Sequence, residues 1–451
     1  MGRALVNYTF RNQFRQIVVT SIYFTSIVTV AWLTLSGCTG TPSSHTSAPN
    51  IQSSVSYPHL LTGPTPDYSF PSNTKLWTVL IYLNADNDLE EFGVEDLNEM
   101  ETVGSTELVN IIVQIDRSPG FDTSNGDWTS ARRYYVTKDQ DFHEIGSTLI
   151  QDLDEADMGD PEVLKEFVAW GKDKFPAKDY LLVLWNHGSG TIEAARATSL
   201  QQYPCYRAIS FDDTSGSAIT IPQLGTVLEN VAPVTIVAFD ASLMQMLEIA
   251  YEIKNSASIM IGSEESPPGE GFPYDKWLDD LVADPAMEAE KIASIIVDET
   301  VNYVGARFSA TQSALRLDRI GNLAQTVDAL ALKLTEKASV LASECAAARG
   351  EAQHYAAFST NSIYNSFKDL HDYARLIEEN ILDPEVVAVA RQVQEAVRDA
   401  VTAEAHTGTG VSRSNGIALY VSEPGQVQSE YDKLKWAKET HWDEWLRGQM
   451  Q

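Results

Sequence analysis

The sequence predicts an α/β fold: a doubly wound, mostly parallel sheet with helices on both faces. Three observations carry that expectation. Short, nearly unbroken apolar runs recur at Trp77–Leu83, Val109–Ile115, Tyr180–Trp185, Val234–Phe239 and Ser258–Gly262. Runs of this length and purity fit strands covered on both faces. Segments of helical period alternate with them, and two of the runs end in polar, glycine-rich or acidic residues, as strands that open onto a binding cleft do.

Taken in order, the chain begins with Arg3, Arg11 and Arg15 and no acid in residues 1–37, around an apolar run from Ile17 to Leu35 that closes on Ser36-Gly37-Cys38. This resembles a bacterial lipoprotein signal, with 1–37 removed and Cys38 lipidated, which would hold the mature chain on the cell envelope outside the cytoplasm. A plain transmembrane anchor is the alternative, since the run is long enough to span a bilayer. Residues 38–74 are rich in Ser, Thr and Pro without apolar periodicity and read as a disordered tether.

Residues 75–310 are expected to form the α/β core, and 311–451 a C-terminal helical region with a late strand and a closing helix, packed on it. Asp160-Pro161 is an N-cap and first-turn pair, followed by Leu164, Phe167 and Val168 on one helix face. After Ser242, residues Leu243, Met246, Leu247 and Ala250 fall at i, i+3, i+4 and i+7 and predict another helix. Longer helices are expected over 286–304, 322–348 and 369–404, a strand at Gly416–Val421, and a helix over Ser429–Leu446.

Composition narrows the function. A net charge of −31 repels nucleic acid and anionic lipid head groups. Membrane contact is therefore expected only through the N-terminal lipid, and the chain is expected to be a monomer. Beyond Cys38 only Cys205 and Cys345 remain, and they are read as unpaired.

Chemistry concentrates at two strand ends: Trp185-Asn186-His187-Gly188-Ser189-Gly190 and Phe239-Asp240-Ala241-Ser242. An imidazole at such a place can act as a general base. Flanking glycines let backbone N–H groups approach a developing oxyanion. An esterase of the α/β-hydrolase type is set aside, because Ser242 does not lie in G-x-S-x-G.

LLVLWNHGSG (181–190), RAISFDDTSG (207–216), FDASLM (239–244), AYEI (250–253) and GSEESPPGEGFPYD (262–275) together resemble the clostripain family of cysteine endopeptidases. The likeness extends forward to WTVLIYLNADNDL (77–89) and back to YDKLKWAKETHWDEWL (431–446). It implies a fold of the caspase, gingipain and legumain type. His187 then stands at the position of the catalytic base, Gly188 at the oxyanion-hole N–H, and Ser242 where the family carries its nucleophilic cysteine. Asp240 would line a pocket for Arg or Lys, so the implied partners are Arg- or Lys-containing peptides or proteins. Family members often cut themselves between the two catalytic strands, where loop 191–207 offers Arg196 and Arg207.

Three positions depart from the family pattern: Ser242 for Cys, Gln245 for Gly, and Thr191 where Trp is common. A thiol of pKa about 8.5 is readily ionised beside an imidazolium, and a hydroxyl is not. Ser242-Leu-Met-Gln245 also fits the capping box S-x-x-Q, in which Ser242 and Gln245 would satisfy each other's backbone N–H. The capping reading of Ser242 is preferred over the nucleophilic one. A peptidase scaffold with little or no activity is thus expected, with a Ser/His-dependent endopeptidase cutting after Arg or Lys as the alternative.

No organic cofactor is expected. Asp86, Asn87 and Asp88 resemble a cation-binding cluster, for a structural or activating Ca2+, but fit equally a strand-to-helix loop near a helix N-terminus. The loop reading is preferred there and at Asp212-Asp213. Cys205 reads as a loop thiol rather than a displaced nucleophile. Glu264, Glu265 and Glu270 follow the fifth expected strand and are placed near the cleft without a role.

Overall fold

The computed structural model describes residues 74–191, 208–231, 233–305, 307–355, 365–423 and 425–448. Cys38, Arg196, Cys205, Arg207 and the apolar run 17–35 lie outside the described residues. Among the described residues no helix is long and apolar enough to cross a membrane.

Thirteen strands are described: β1 (Lys75–Ala85), β2 (Val109–Arg117), β3 (Ala131–Tyr135), β4 (Thr148–Asp152), β5 (Ala177–Trp185), β6 (Ala208–Asp212), β7 (Ser217–Thr220), β8 (Val234–Asp240), β9 (Ala257–Gly262), β10 (Ala310–Arg316), β11 (Phe367–Asp369), β12 (Val401–Thr407) and β13 (Ala418–Tyr420). Nine form one sheet in the order β12-β10-β9-β8-β5-β1-β2-β3-β4. The five central strands, β2, β1, β5, β8 and β9, are parallel. They are the five apolar runs of the sequence. The outer pairs on both flanks are antiparallel.

Alternation along the strands divides the core. Leu80, Tyr82, Leu182, Leu184 and Phe239 face helices Pro161–Lys174, Ile221–Asn230, Leu247–Ile253 and Ile320–Glu336. Val79, Ile81, Leu83, Val183 and Ala238 face helices Glu90–Glu101, Tyr274–Ala283 and Ala289–Gly305. Both faces of the central strands are buried, which is why they read as continuous apolar runs. Asp160 caps its helix as expected, accepting from Glu162 N with Pro161 in the first turn.

Several elements differ from the sequence reading. The segment read as one helix over 322–348 is two, broken at Lys337. That over 369–404 divides into Leu370–Asn380 and Pro384–Ala400, the second capped by Asp383 through Glu385 N and Val386 N. Val401–Thr407 is not helical but forms edge strand β12 on β10. The late strand, β13, pairs with β11 outside the main sheet. The expected closing helix is a 3-10 turn at Ser429–Lys433 followed by short helices Lys435–Glu439 and Trp442–Gly448. Residues beyond 310 therefore supply β10 and β12 to the nine-stranded sheet as well as helices.

The strand order reverses at β1 and β5, since β2 lies to one side of β1 and β5, β8 and β9 to the other. Such a switch point opens a crevice beyond the carboxyl ends of the strands. Asp86–Asp88, Asn186–Gly188 and Ala241–Ser242 follow β1, β5 and β8 into it.

Candidate active site

β5 and β8 are paired so that Trp185 lies opposite Asp240, and Asn186 N donates to Asp240 O at 3.2 Å. His187 and Ser242 each stand two residues beyond that pair, side by side at the lip of the sheet. A Cβ at Gly188 would collide with the Ser242 carbonyl oxygen, so glycine is what allows the two strand ends to approach this closely. His187, Asp240 and Ser242 line one cleft of about 190 Å3, closed on its far side by Ser266-Pro267-Pro268.

The imidazole has a carboxylate beside it. His187 Nε2–H donates to Asp88 Oδ1 at 2.8 Å. This bond fixes the tautomer and leaves Nδ1 as the basic nitrogen. The sequence reading placed Asp88 in a loop cluster, apart from His187. β1 and β5 are neighbours with Leu83 opposite Trp185, which brings the two loops together.

Ser242 does not cap a helix. The following helix begins only at Leu247, with Met246 as its N-cap residue. Residues 243–245 instead bond to the chain that follows β9: Leu243 N donates to Glu265 O and Gln245 N to Ser263 O. The N–H that the capping box assigned to Ser242 is thereby taken. Gln245 turns away as well, its Nε2 donating to Ser313 O at 3.0 Å and to Ser313 Oγ at 2.8 Å. The capping reading of Ser242 and Gln245 is overturned, because these bonds to the chain after β9 take the place of the helical turn. Leu243, at φ +63°, absorbs the change of direction. The Ser242 hydroxyl instead shares a 2.6 Å hydrogen bond with the Ser266 hydroxyl.

Asp240 lies beneath the cleft. Its Oδ2 accepts from Phe272 N and from the Tyr274 hydroxyl, both at 3.0 Å. Burial nonetheless raises its pKa to about 7. Asp96, bonded to Trp185 Nε1 at 2.6 Å, is raised by burial and then by repulsion from Asp240. Burial, followed by repulsion from Asp275, raises Glu99 to about 7. Of these three carboxyls only Asp240 lines the cleft; Asp96 and Glu99 lie behind it, close enough for the acids to repel one another. Asp96 and Glu99 were not singled out in the sequence, because they lie inside a helix whose acids look like a solvated face.

A sequence model of peptidase C11, the clostripain family, matches residues 81–448. The chain belongs to the clostripain family. Clostripain of Hathewaya histolytica is 28% identical over 306 residues, which is 58% of this chain and 56% of that protein. The matched region therefore spans little more than half the length of clostripain. An inactive zymogen C11 protease from Parabacteroides distasonis superposes with a TM-score of 0.61 at 20% identity, over 83% of this chain and 99% of that one. A secreted C11 cysteine protease from Bacteroides thetaiotaomicron, solved with an irreversible peptide inhibitor, gives 0.59 at 21% identity over the same shares. These two structures establish the fold, a caspase-like mixed sheet with helices on both faces and further helices at the C-terminus.

Within that family fold, the predicted residues divide cleanly. His187, Gly188, Asp240 and Ser242 converge on the cleft. Glu265 supports it, its Oε1 accepting from Ser266 N at 2.8 Å. Glu270 pairs with Arg307 at 2.7 Å. Glu264 points elsewhere, accepting from Gly416 N and from the Tyr355 hydroxyl. Cys345 is buried in helix Ala338–Glu351, its thiol pushed up to about 12 by burial, and has no part in the cleft.

Proposed function

We propose that this protein is an extracytoplasmic, lipid-tethered member of the clostripain family that binds Arg- or Lys-bearing peptides and has little cysteine-peptidase activity. The observation that carries the reading is Ser242: it follows the end of β8 in the cleft with His187, where the resemblance puts the family nucleophile, and its hydroxyl is committed to Ser266. A hydroxyl has no useful anion population near neutrality, whereas a thiol in the same setting would. The buried carboxyls at Asp96, Glu99 and Asp240 support a cationic ligand, because a guanidinium or ammonium replaces a proton the pocket holds at a cost. The Leu-Ser-Gly-Cys38 sequence supports the lipid anchor.

Asp88 favours a second reading, a Ser/His-dependent endopeptidase cutting after Arg or Lys. Hydroxyl, imidazole and carboxylate come from three neighbouring strand ends, the set of groups a serine triad requires. The two readings separate on a fluorogenic arginyl peptide. Wild-type turnover is expected near background, and Ser242→Cys is expected to raise it by several orders of magnitude. Substantial wild-type turnover that disappears in His187→Ala would establish the second reading instead.

A further inference from the structure

Beside the cleft, the two-stranded ribbon of β11 and β13 packs against the segment that follows Ser242. A Cβ at Gly190 would meet the Phe367 ring, the Leu243 carbonyl oxygen and the Met246 sulfur, so β11 sits where the two strand ends come together. From β13, Ala418 N donates to Gln245 O at 2.9 Å. Just ahead of β13, Gly416 N donates to Glu264 Oε1 at 2.9 Å, and Gly416 O accepts from Ser313 Oγ at 2.6 Å. One buried cluster ties this ribbon to the chain after β9. The Tyr355 hydroxyl lies 3.1 Å from each of Glu264 Oε1, Asp369 Oδ2 and Ser414 Oγ. Glu264, Tyr355 and Asp369 are all buried. Asp369 has three further donors: Asp372 N and the Asn415 side-chain amide on Oδ1, and Asn415 N on Oδ2. Glu264 Oε2, by contrast, is buried with no hydrogen-bond partner among the described residues.

We propose that the β11–β13 ribbon positions the segment carrying Ser242, and that Glu264, Tyr355 and Asp369 hold it there by keeping a proton between the two carboxyls. A hydroxyl has one hydrogen to give, so Tyr355 cannot donate to both carboxylates at once. Two ionised carboxylates around one hydroxyl, away from water, would repel each other. Glu404 of β12 adds to that repulsion. The charged groups of the neighbouring segments are engaged elsewhere: Arg375 and Arg413 pair with Asp372, and His406 pairs with Glu404. Lys368 interacts with Glu423 and Arg349, and His354 lies near Lys368 and Arg413. Donors crowd on Asp369, so Glu264 is the member that keeps the proton longest. Burial, then repulsion from Asp369 and Glu404, pushes Glu264 up to about 8, and burial raises Asp369 to about 7. A proton held only in the closed form makes closure weaken as pH rises to about 8 and level off above it. The neighbours of Glu264 carry that change to the cleft: Glu265 O accepts from Leu243 N, and the Ser266 hydroxyl is bonded to Ser242. None of Glu264, Tyr355 and Asp369 lines the cleft, so they are positioning residues.

Amide hydrogen exchange of the full chain, corrected for the intrinsic pH dependence of exchange, tests the proposal without any activity measurement. In the wild type, protection of residues 414–420 and 243–246 is expected to fall roughly 30–100-fold from pH 6 to 8, because one proton released on opening gives about tenfold per pH unit. Glu264→Gln and Asp369→Asn, close in shape and uncharged, should each cut that fall to less than about 10-fold. Strand β2 should stay better protected than both segments at pH 8, because the ribbon opens without the rest of the molecule. A wild-type protection that does not fall would overturn the shared proton, as would a fall kept in full by both variants. Protection of the two segments equal to that of β2 would show that the ribbon opens only with the whole fold. A fall at 414–420 with none at 243–246 would sever the ribbon from Ser242.

Discussion

At the scale of single residues, the cleft turns on what each atom of His187 and Ser242 faces. Asp88 holds one imidazole nitrogen, so on either proposed reading Nδ1 is the one that would act as base. In a serine protease, replacing a buried orienting Asp by Asn costs about 10⁴ in turnover. Asp88 has a side chain 51% exposed, where water competes for the same bond, so its contribution is expected to be smaller. In the Ser242→Cys background, Asp88→Asn should lower kcat/KM for an arginyl peptide by roughly 10–100-fold, short of the full loss of a base. Asp88→Glu should restore part of it. Steady-state kinetics of the three variants decide the point, and an unchanged rate in Asp88→Asn would remove Asp88 from the machinery.

At the scale of elements, the junction between β8 and the helix Leu247–Ile253 shows how a local motif loses to tertiary pairing. Ser-x-x-Gln favours a cap, but the chain after β9 takes the bonds of Leu243 N and Gln245 N, and Gln245 is buried against Ser313. The two accounts give opposite stabilities. A cap would make Ser242→Ala cost about 0.5–2 kcal/mol. Here Ser242→Ala is expected to leave urea unfolding almost unchanged, while Gln245→Ala costs about 1–3 kcal/mol by stripping two acceptors of their buried donor. Equal losses in the two variants would restore the cap. The same competition explains what could and could not be read elsewhere. β1, β2, β5, β8 and β9 were legible because both their faces are dry. β3, β4 and β12 lie towards the sheet's flanks with wetter faces, so their polar residues hide them. The cap at Asp383-Pro384 was legible in principle, being the same pair as Asp160-Pro161, but a periodic pattern ran through it.

At the scale of the whole molecule, the fold brings together what the chain separates. Asp88 and His187 are 99 positions apart, and Glu264 and Gly416 are 152 apart. The motif around each residue was readable, but its partner was not, because strand order is not written in any one segment. That arrangement leaves several carboxyls buried, which sets the pH dependence of stability. Burial raises Asp240, Glu99 and Asp369 to about 7 and Glu264 to about 8, the last also through repulsion from Asp369. In the unfolded chain the same groups titrate near pH 4. Between these limits the folded state holds protons that the unfolded state has lost, so stability falls as pH rises. The net charge of −31 acts in the same direction, since self-repulsion grows as protons leave. Unfolding followed in a chelating buffer should therefore show a urea midpoint that declines as pH rises from about 4 to about 8. Glu264→Gln, which keeps an acceptor for Gly416 N and carries no charge, should flatten that decline and raise the midpoint at the alkaline end. A wild-type midpoint that climbs from pH 5.5 to 8 would mean that these carboxyls are ionised and paired in the folded protein, contrary to their burial.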